Sequence, residues 1–392
     1  MTDKEEYYEE SLRLHARHKG KLEITGKVRV RTEEEMKVAY LPGAIEPCLL
    51  IERAGEDARK YSIKANTIAV VSDGSAVPGL GNIGGPAALP MIEGKALLFK
   101  EFGEVDAFPL CLSTQDPDEI VLTVKSISPA FGGICLDGIS APGCFEIKRR
   151  LREELDIPVW LDSGDGIAAV VNAALINACR LTGRPLSELK AVVFGAGAAG
   201  SAIAKMLVRE NVQDIVVCDS KGIISASRIS EFEEDKLELL ELTNKNGLSG
   251  NLMDAIAGRD LFIGVSKPDI LTEVMVRSMA KEPWIFALAD PDPEILPEKA
   301  KAAGAYITCT GSQDYANYIT NTLLTPGLFR GLLDAEADGI NDEIVSAAIR
   351  ELAGLVPGDE LSEDCLLPFI FDEDVAARIA EAVAKVVAEK TI

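Results

Sequence analysis

The chain has 392 residues, enough at roughly 100–200 residues per domain for two or three domains. Hydrophobic residues make up 47% and charged residues 26%, so a sizeable core is available and a disordered chain is excluded. The formal net charge of −23 repels phosphate backbones and anionic lipid, which argues against nucleic acid and membrane surfaces as partners and leaves a small-molecule ligand.

The only histidines are His15 and His18, so serine–histidine–aspartate chemistry and three-histidine zinc sites are not expected in the body of the chain. Acid–base work there falls to Lys, Tyr, Asp, Glu or Cys. The eight cysteines are scattered without a C-x-x-C pair and sit mostly in apolar context, which reads as reduced core thiols. The acidic start MTDKEEYYEE has no apolar leader, and no run of about 18 apolar residues follows. The expected location is the cytoplasm.

In chain order, a polar helix is expected from about Glu5, followed by an extended stretch over 20–30. Strand-like runs then appear at NTIAVVSDG, VDAFPLCLS, FGGICLDG and IPVWLDSGDG, the last running into the apolar helix GIAAVVNAALINACRL. Strands alternating with helices predict an α/β fold built on parallel sheets. A boundary near residue 160 divides it into an N-terminal α/β domain, 1–160, and a Rossmann-type doubly wound domain, 161–392.

That second half opens with the clearest local signal. A buried strand (Ala191 to Phe194) leads into Gly195-Ala196-Gly197-Ala198-Ala199-Gly200 and then a helix. A second strand ends at Asp219, twenty-two residues after Gly197. Strand, glycine turn, helix and acidic strand end together form the dinucleotide fingerprint. Gly195 would make the turn, Gly197 admit the pyrophosphate, and Gly200 let helix pack on strand, with Ala198 and Ala199 opening the helix toward the phosphates. The alternative is a β–α turn without a ligand. Two later strands, DLFIGVSKPDI and PWIFALADPDPE, should bring Ser266 and Asp290 to the same cleft. The closing helix should put Val375, Ile379 and Val383 on one packed face.

Lys95 stands inside the apolar stretch MIEGKALLFK. Burial would lower its pKa toward neutrality and suit a general base. The competing reading is a lysine whose stem lies on apolar surface with its head in water.

The blocks SDGSAVPGLGNIG, MIEGKALLFKEFGEVDAFPLCL, PAFGGICLDGISAPGCFEI, VVFGAGAAG and VVCDSKGII closely resemble the short bacterial and archaeal malic enzymes, from about His18 to the C-terminus. The resemblance implies NAD- or NADP-dependent oxidation of malate, metal-assisted decarboxylation to pyruvate, and a homodimer. It also implies a catalytic Tyr40, in AYLPG where the family has Thr in place of Leu41, and a catalytic Lys95 from the Glu-Gly-Lys motif. The family's metal ligands map to Asp137, Gly138 and Ser163, so two carboxylates are missing and a bound Mg²⁺ or Mn²⁺ is in doubt. Asp162 matches a family acid. The substrate-contact positions carry Asp290 where the family has Asn, and Asn321 where it also has Asn.

Three readings follow. The first is a malic enzyme with a rebuilt cation site of Asp137, Asp162 and Asp165, against the alternative that Asp165 caps the helix beginning near Gly166. The second is a metal-independent nicotinamide oxidoreductase on a less anionic substrate, suggested by Asp290. The third is a catalytically silent NAD-binding homologue. Asp219 would repel a 2′-phosphate and so favours NAD, with NADP left open by the nearby Lys221.

Overall fold

The apolar run after Asn66 becomes the first strand of a parallel sheet because every one of its side chains is covered. In the computed structural model, which describes residues 3–54 and 58–390, β1 (Thr67–Ser72) is buried throughout. It lies between β2 (Asp106–Cys111) and β3 (Gly133–Leu136), with β4 (Val159–Leu161) beyond β3, in the order β2-β1-β3-β4. Val71 stands opposite Leu136 and Leu136 opposite Leu161. In a parallel register the next residues therefore emerge side by side, and these are Ser72, Asp137 and Asp162. The helix Gly85–Gly103 packs on this sheet, burying Ala88, Ile92, Ala96 and Phe99 at helical spacing. That spacing carries Lys95, the neighbour of Ala96, toward the same edge.

The second sheet has the order β10-β9-β8-β5-β6-β7. It is built from β5 (Lys190–Phe194), β6 (Asp214–Asp219), β7 (Gly222–Ile223), β8 (Leu261–Gly264), β9 (Trp284–Ala287) and β10 (Ile307–Thr310). All its pairs are parallel except β6–β7. From β5 the chain moves first to one side and later to the other, so a topological switch point lies beside β5, the place where open α/β sheets bind ligands.

One buried cluster runs from Ile68 and Trp160 of the first sheet, through the helix Ile167–Thr182, to the second sheet and the C-terminal helices. The closing helix Val375–Lys390 buries Val375, Ile379 and Val383 as expected. It lies close against the helix Thr325–Asp334, where a Cβ on Gly327 would fall 2.6 Å from Ala376 O and one on Gly331 2.5 Å from Ala380 O.

Residues 20–30, expected to be extended, pair into neither sheet, and residues 22–30 are exposed. One expectation is corrected. The strand expected to reach Asp290 ends at Ala287, after which Ala289 N–H donates to the buried Glu294 carboxylate instead of to a ladder. All eight cysteines are free thiols. Among the described residues no helix is long and apolar enough to cross a membrane.

Candidate active site

The strand ends supply the acids and the helix supplies the base. Lys95, only 14% exposed at its side chain, holds its ammonium against the Asp162 carboxylate and 3.4 Å from Asp137 Oδ2. Asp162 is completely buried and is fixed from two further sides. Thr325 Oγ1 donates to its Oδ1 at 2.5 Å, and Trp160 Nε1 donates to the same oxygen at 3.2 Å. Leu98, Phe99, Thr322 and Pro326 complete a narrow space over this group.

The buried setting expected of Lys95 is present, and the snorkelling alternative is excluded, but the expected fall in its pKa is corrected. Burial does pull the ammonium down, yet Asp137 and Asp162 together outweigh it and hold Lys95 above its ordinary value. Burial likewise pushes Asp137 up, opposed by Lys95 and reinforced by the Asp162 charge. Beneath them burial and Asp162 push the Cys135 thiol well up, leaving it an inert neutral group.

The structure does not bring Asp165 to Asp137 and Asp162. All three leave the β3 and β4 ends, but Asp162–Gly166 forms a single π-helical turn that sends Asp162 and Asp165 to different partners. Asp165 accepts from Lys148 Nζ at 2.9 and 3.0 Å and lies 3.6 Å from Arg152. It does not cap the following helix either, which has no side-chain cap. At Gly138 the backbone is left-handed (φ +66°), and an added Cβ would stand 2.8 Å from Ser72 Oγ, so a side chain there is strained. Ser163 Oγ is buried without a hydrogen-bond partner. Among the described residues no three His, Cys, Asp or Glu side chains converge as a metal-holding group.

Tyr40 lies elsewhere. It follows the helix Glu33–Ala39, is 68% exposed, and is neither among the partners of Lys95 nor in the lining of the space beside it.

The glycine turn has the geometry its sequence requires. Gly195 has φ +116°, and a Cβ on Gly200 would collide with Gly195 O at 1.7 Å. The helix begins at Ala198 with Gly197 as its cap, so the backbone N–H groups after Gly197 face outward. A Cβ on Gly197 would meet only open space. Asp219, at the end of β6, is not free to meet a ribose unaided. Arg228 grips both its oxygens at 2.9 and 3.0 Å, Lys236 lies at 3.0 Å, and Lys221 N–H donates at 2.9 Å. Against the upward pull of burial, these partners hold its carboxyl at about 2.

The remaining cleft residues converge from both sheets. Ser266 is exposed at the tip of β8, its N–H bonded to Glu294 Oε1 at 2.9 Å. Asp290 is exposed beyond β9, and a Cβ on Gly79 of the first unit would lie 3.0 Å from the adjacent Pro291. Asn321 Nδ2 reaches Asp162 O at 3.4 Å. Thr325, Trp160, Arg228, Lys236 and Glu294 are functional neighbours that sequence reasoning missed. Only Arg228 and Lys236 carried a signal, as cations within twenty residues of the fingerprint acid.

A parallel two-sheet α/β chain with a glycine-turn dinucleotide site and a buried lysine–carboxylate group at the facing strand ends is a nicotinamide-dependent oxidoreductase by architecture. Residues 19–152 match the malic enzyme N-terminal domain and residues 165–388 the malic enzyme NAD-binding domain. The chain belongs to the malic enzyme family. It is 50% identical to the bifunctional malic/malolactic enzyme of Bacillus subtilis (strain 168), over 97% of this chain and 93% of that protein. It is 47% identical to the NAD-dependent malic enzyme of Geobacillus stearothermophilus, over 93% of this chain and 76% of that one. The NAD-dependent malic enzyme structure from Thermotoga maritima superposes with a TM-score of 0.91 at 41% identity, covering 95% and 98% of the two chains. The malic enzyme structure from Pyrococcus horikoshii Ot3 gives a TM-score of 0.90 at 42% identity, covering 95% and 88%.

Proposed function

We propose that the protein oxidises malate, transferring the hydride from C2 to a nicotinamide dinucleotide, with release of carbon dioxide to give pyruvate. The observation that carries this is the buried Lys95–Asp137–Asp162 group, set on the strand ends that face the dinucleotide turn. In the oxidation step the C2–H bond breaks with hydride passing to the nicotinamide. The hydroxyl proton passes to Lys95 as Lys95 gives one of its own to Asp137 Oδ2, the nearest second acceptor. When the bond to the departing carbon dioxide breaks, its electron pair passes to the C2 carbonyl as an enolate, and the proton held on Asp137 returns through Lys95 to C3 to give pyruvate. Asp162, pinned by Thr325 and Trp160, fixes the ammonium throughout. The open space at Gly197 and the N–H groups of Ala198, Ala199 and Gly200 would hold the pyrophosphate of the dinucleotide. Asn321, Ser266 and Asp290 border the substrate and nicotinamide.

The residues at hand do not fit a resident divalent cation. Mg²⁺ and Mn²⁺ want several anionic oxygens, whereas both carboxylates here face the Lys95 ammonium, Gly138 supplies no ligand, and Asp165 is paired with Lys148. The Lys95 ammonium offsets one of the two carboxylate charges and stands where it can face the substrate oxygen, and the expected consequence is malate oxidation that does not depend on added metal.

NAD is the preferred cofactor, since the Asp219 charge opposes a 2′-phosphate even with Arg228 beside it. Residues 5–66, among those described, include no fully buried residue and reach the rest of the chain through a few contacts such as Lys21 to Pro90 O and Arg59 to Ala337 O, which favours a homodimer that covers them and with them Tyr40.

NADH formation from L-malate by the purified protein, in EDTA and in excess Mn²⁺, tests the whole reading. Equal turnover in the two conditions supports it. Turnover only with Mn²⁺ overturns the metal-free part, and absence of turnover in both overturns malate as substrate.

A further inference from the structure

A second cavity, of about 530 Å³, lies away from Lys95, between the helices Gly143–Glu154, Ala198–Arg209 and Asp342–Gly354. Its floor is apolar, with Trp160, Ala168 and Met206, and Lys148 and Arg152 stand on one wall. Two features of this lining call for a ligand. Asn172 is 3% exposed, and while its Nδ2 donates to Glu210 Oε1 at 2.9 Å, its Oδ1 is buried without a partner. An orphaned buried acceptor is unfavourable, and a ligand N–H or O–H would satisfy it. Arg152 spends its Nε on Val159 O at 3.0 Å, and its Nη2 lies 3.6 Å from Asp165. Asp165 is thus held closely by Lys148 and only loosely by Arg152, so the guanidinium keeps N–H groups for a second carboxylate, which it can pair with bidentately.

We infer that this cavity is a binding site for a small carboxylate carrying a hydrogen-bond donor, an amino or hydroxy acid, whose carboxylate meets Arg152 and Lys148 and whose donor meets Asn172 Oδ1. The site is wired to the catalytic group by two contacts. Trp160 lines the cavity with its ring and donates its indole N–H to Asp162 at 3.2 Å. Asp165, the carboxylate that shares Lys148 with the incoming ligand, belongs to the same five-residue π-helical turn as Asp162.

The chain has two tryptophans, so a Trp284→Phe background leaves Trp160 as the only reporter. L-glutamate, L-serine and glycolate are titrated against its emission, with succinate as the carboxylate lacking a donor. The expected result is a saturable change whose Kd rises at least tenfold, about 1.4 kcal/mol, in Arg152→Met and in Lys148→Met, stays unchanged in Lys95→Met, and is at least tenfold weaker for succinate. Because Trp284 is buried, calorimetry on the wild-type chain repeats the comparison in case that background folds poorly. A response abolished by Lys95→Met but retained in Arg152→Met assigns binding to the catalytic cleft and overturns the inference. So does the absence of saturable binding by all four probes. Neither readout needs turnover, so failure of the malate reading and failure of this site are separable.

Discussion

Replacing Lys95 with Met keeps most of the stem volume and deletes the charge that Asp137 and Asp162 share. Asp162 is fully buried and Asp137 18% exposed at its side chain, so neither gains water in exchange. Removing one partner of a buried pair costs about 3–5 kcal/mol, and protonation of a stranded carboxylate sets a ceiling that depends on pH. The ordinary carboxyl value is 3.8, and at about 1.4 kcal/mol per pH unit the ceiling for one carboxyl is about 4.4 kcal/mol at pH 7 and about 1.6 kcal/mol at pH 5. The sign follows from the raised folded-state pKa. The variant's stability is intact below 3.8 and falls as pH rises through the raised value, so the deficit against wild type widens from pH 5 to pH 7. Urea midpoints of wild type and Lys95→Met at both pH values measure it. A deficit below about 1 kcal/mol at pH 7, or one equal at the two pH values, would refute the buried-group reasoning.

Thr325→Val leaves Asp162 Oδ1 with Trp160 as its remaining hydrogen-bond donor and should cost about 1–2 kcal/mol, with a fall in kcat larger than any change in KM; thermal melts and steady-state kinetics check both. Asp219→Ser releases Arg228 and Lys236 to a 2′-phosphate, and the ratio of kcat/KM for NADP over NAD should rise at least tenfold, read by NADPH against NADH formation. The same Asp219 carboxyl, held at about 2 against an ordinary 3.8, contributes stability that is present above 3.8 and lost as pH falls toward 2. Gly138→Asp places a side chain at φ +66° against Ser72 and should destabilise by about 1–3 kcal/mol without conferring Mn²⁺ dependence, measured by melting and by metal titration of activity.

Much of the molecule follows from local pattern. The β-branched and apolar runs at Thr67–Ser72, Lys190–Phe194 and Asp214–Asp219 leave little choice but buried parallel strands. The glycine at 195 needs a positive φ, and the one at 200 needs no Cβ, so the dinucleotide turn was legible residue by residue. Whether Lys95 is buried or lies with its head in water was open in the sequence, and the packing of its helix neighbours Ile92, Ala96 and Phe99 decides for burial.

What charge that lysine carries was not legible. Its pKa depends on Asp137 and Asp162, 42 and 67 positions away in the chain, and only the parallel register of β3 and β4 aligns those strand ends beneath it. Asp162 and Asp165 look equivalent in the sequence as acids of one turn, yet the turn's π-helical path gives the first to Lys95 and the second to Lys148. Thr325 reaches Asp162 from 163 residues further along the chain. Periodicity and turn chemistry act over a few residues and fix elements from sequence alone. Electrostatics and hydrogen bonding at the site act through space, and the packing of the two sheets decided which charges meet.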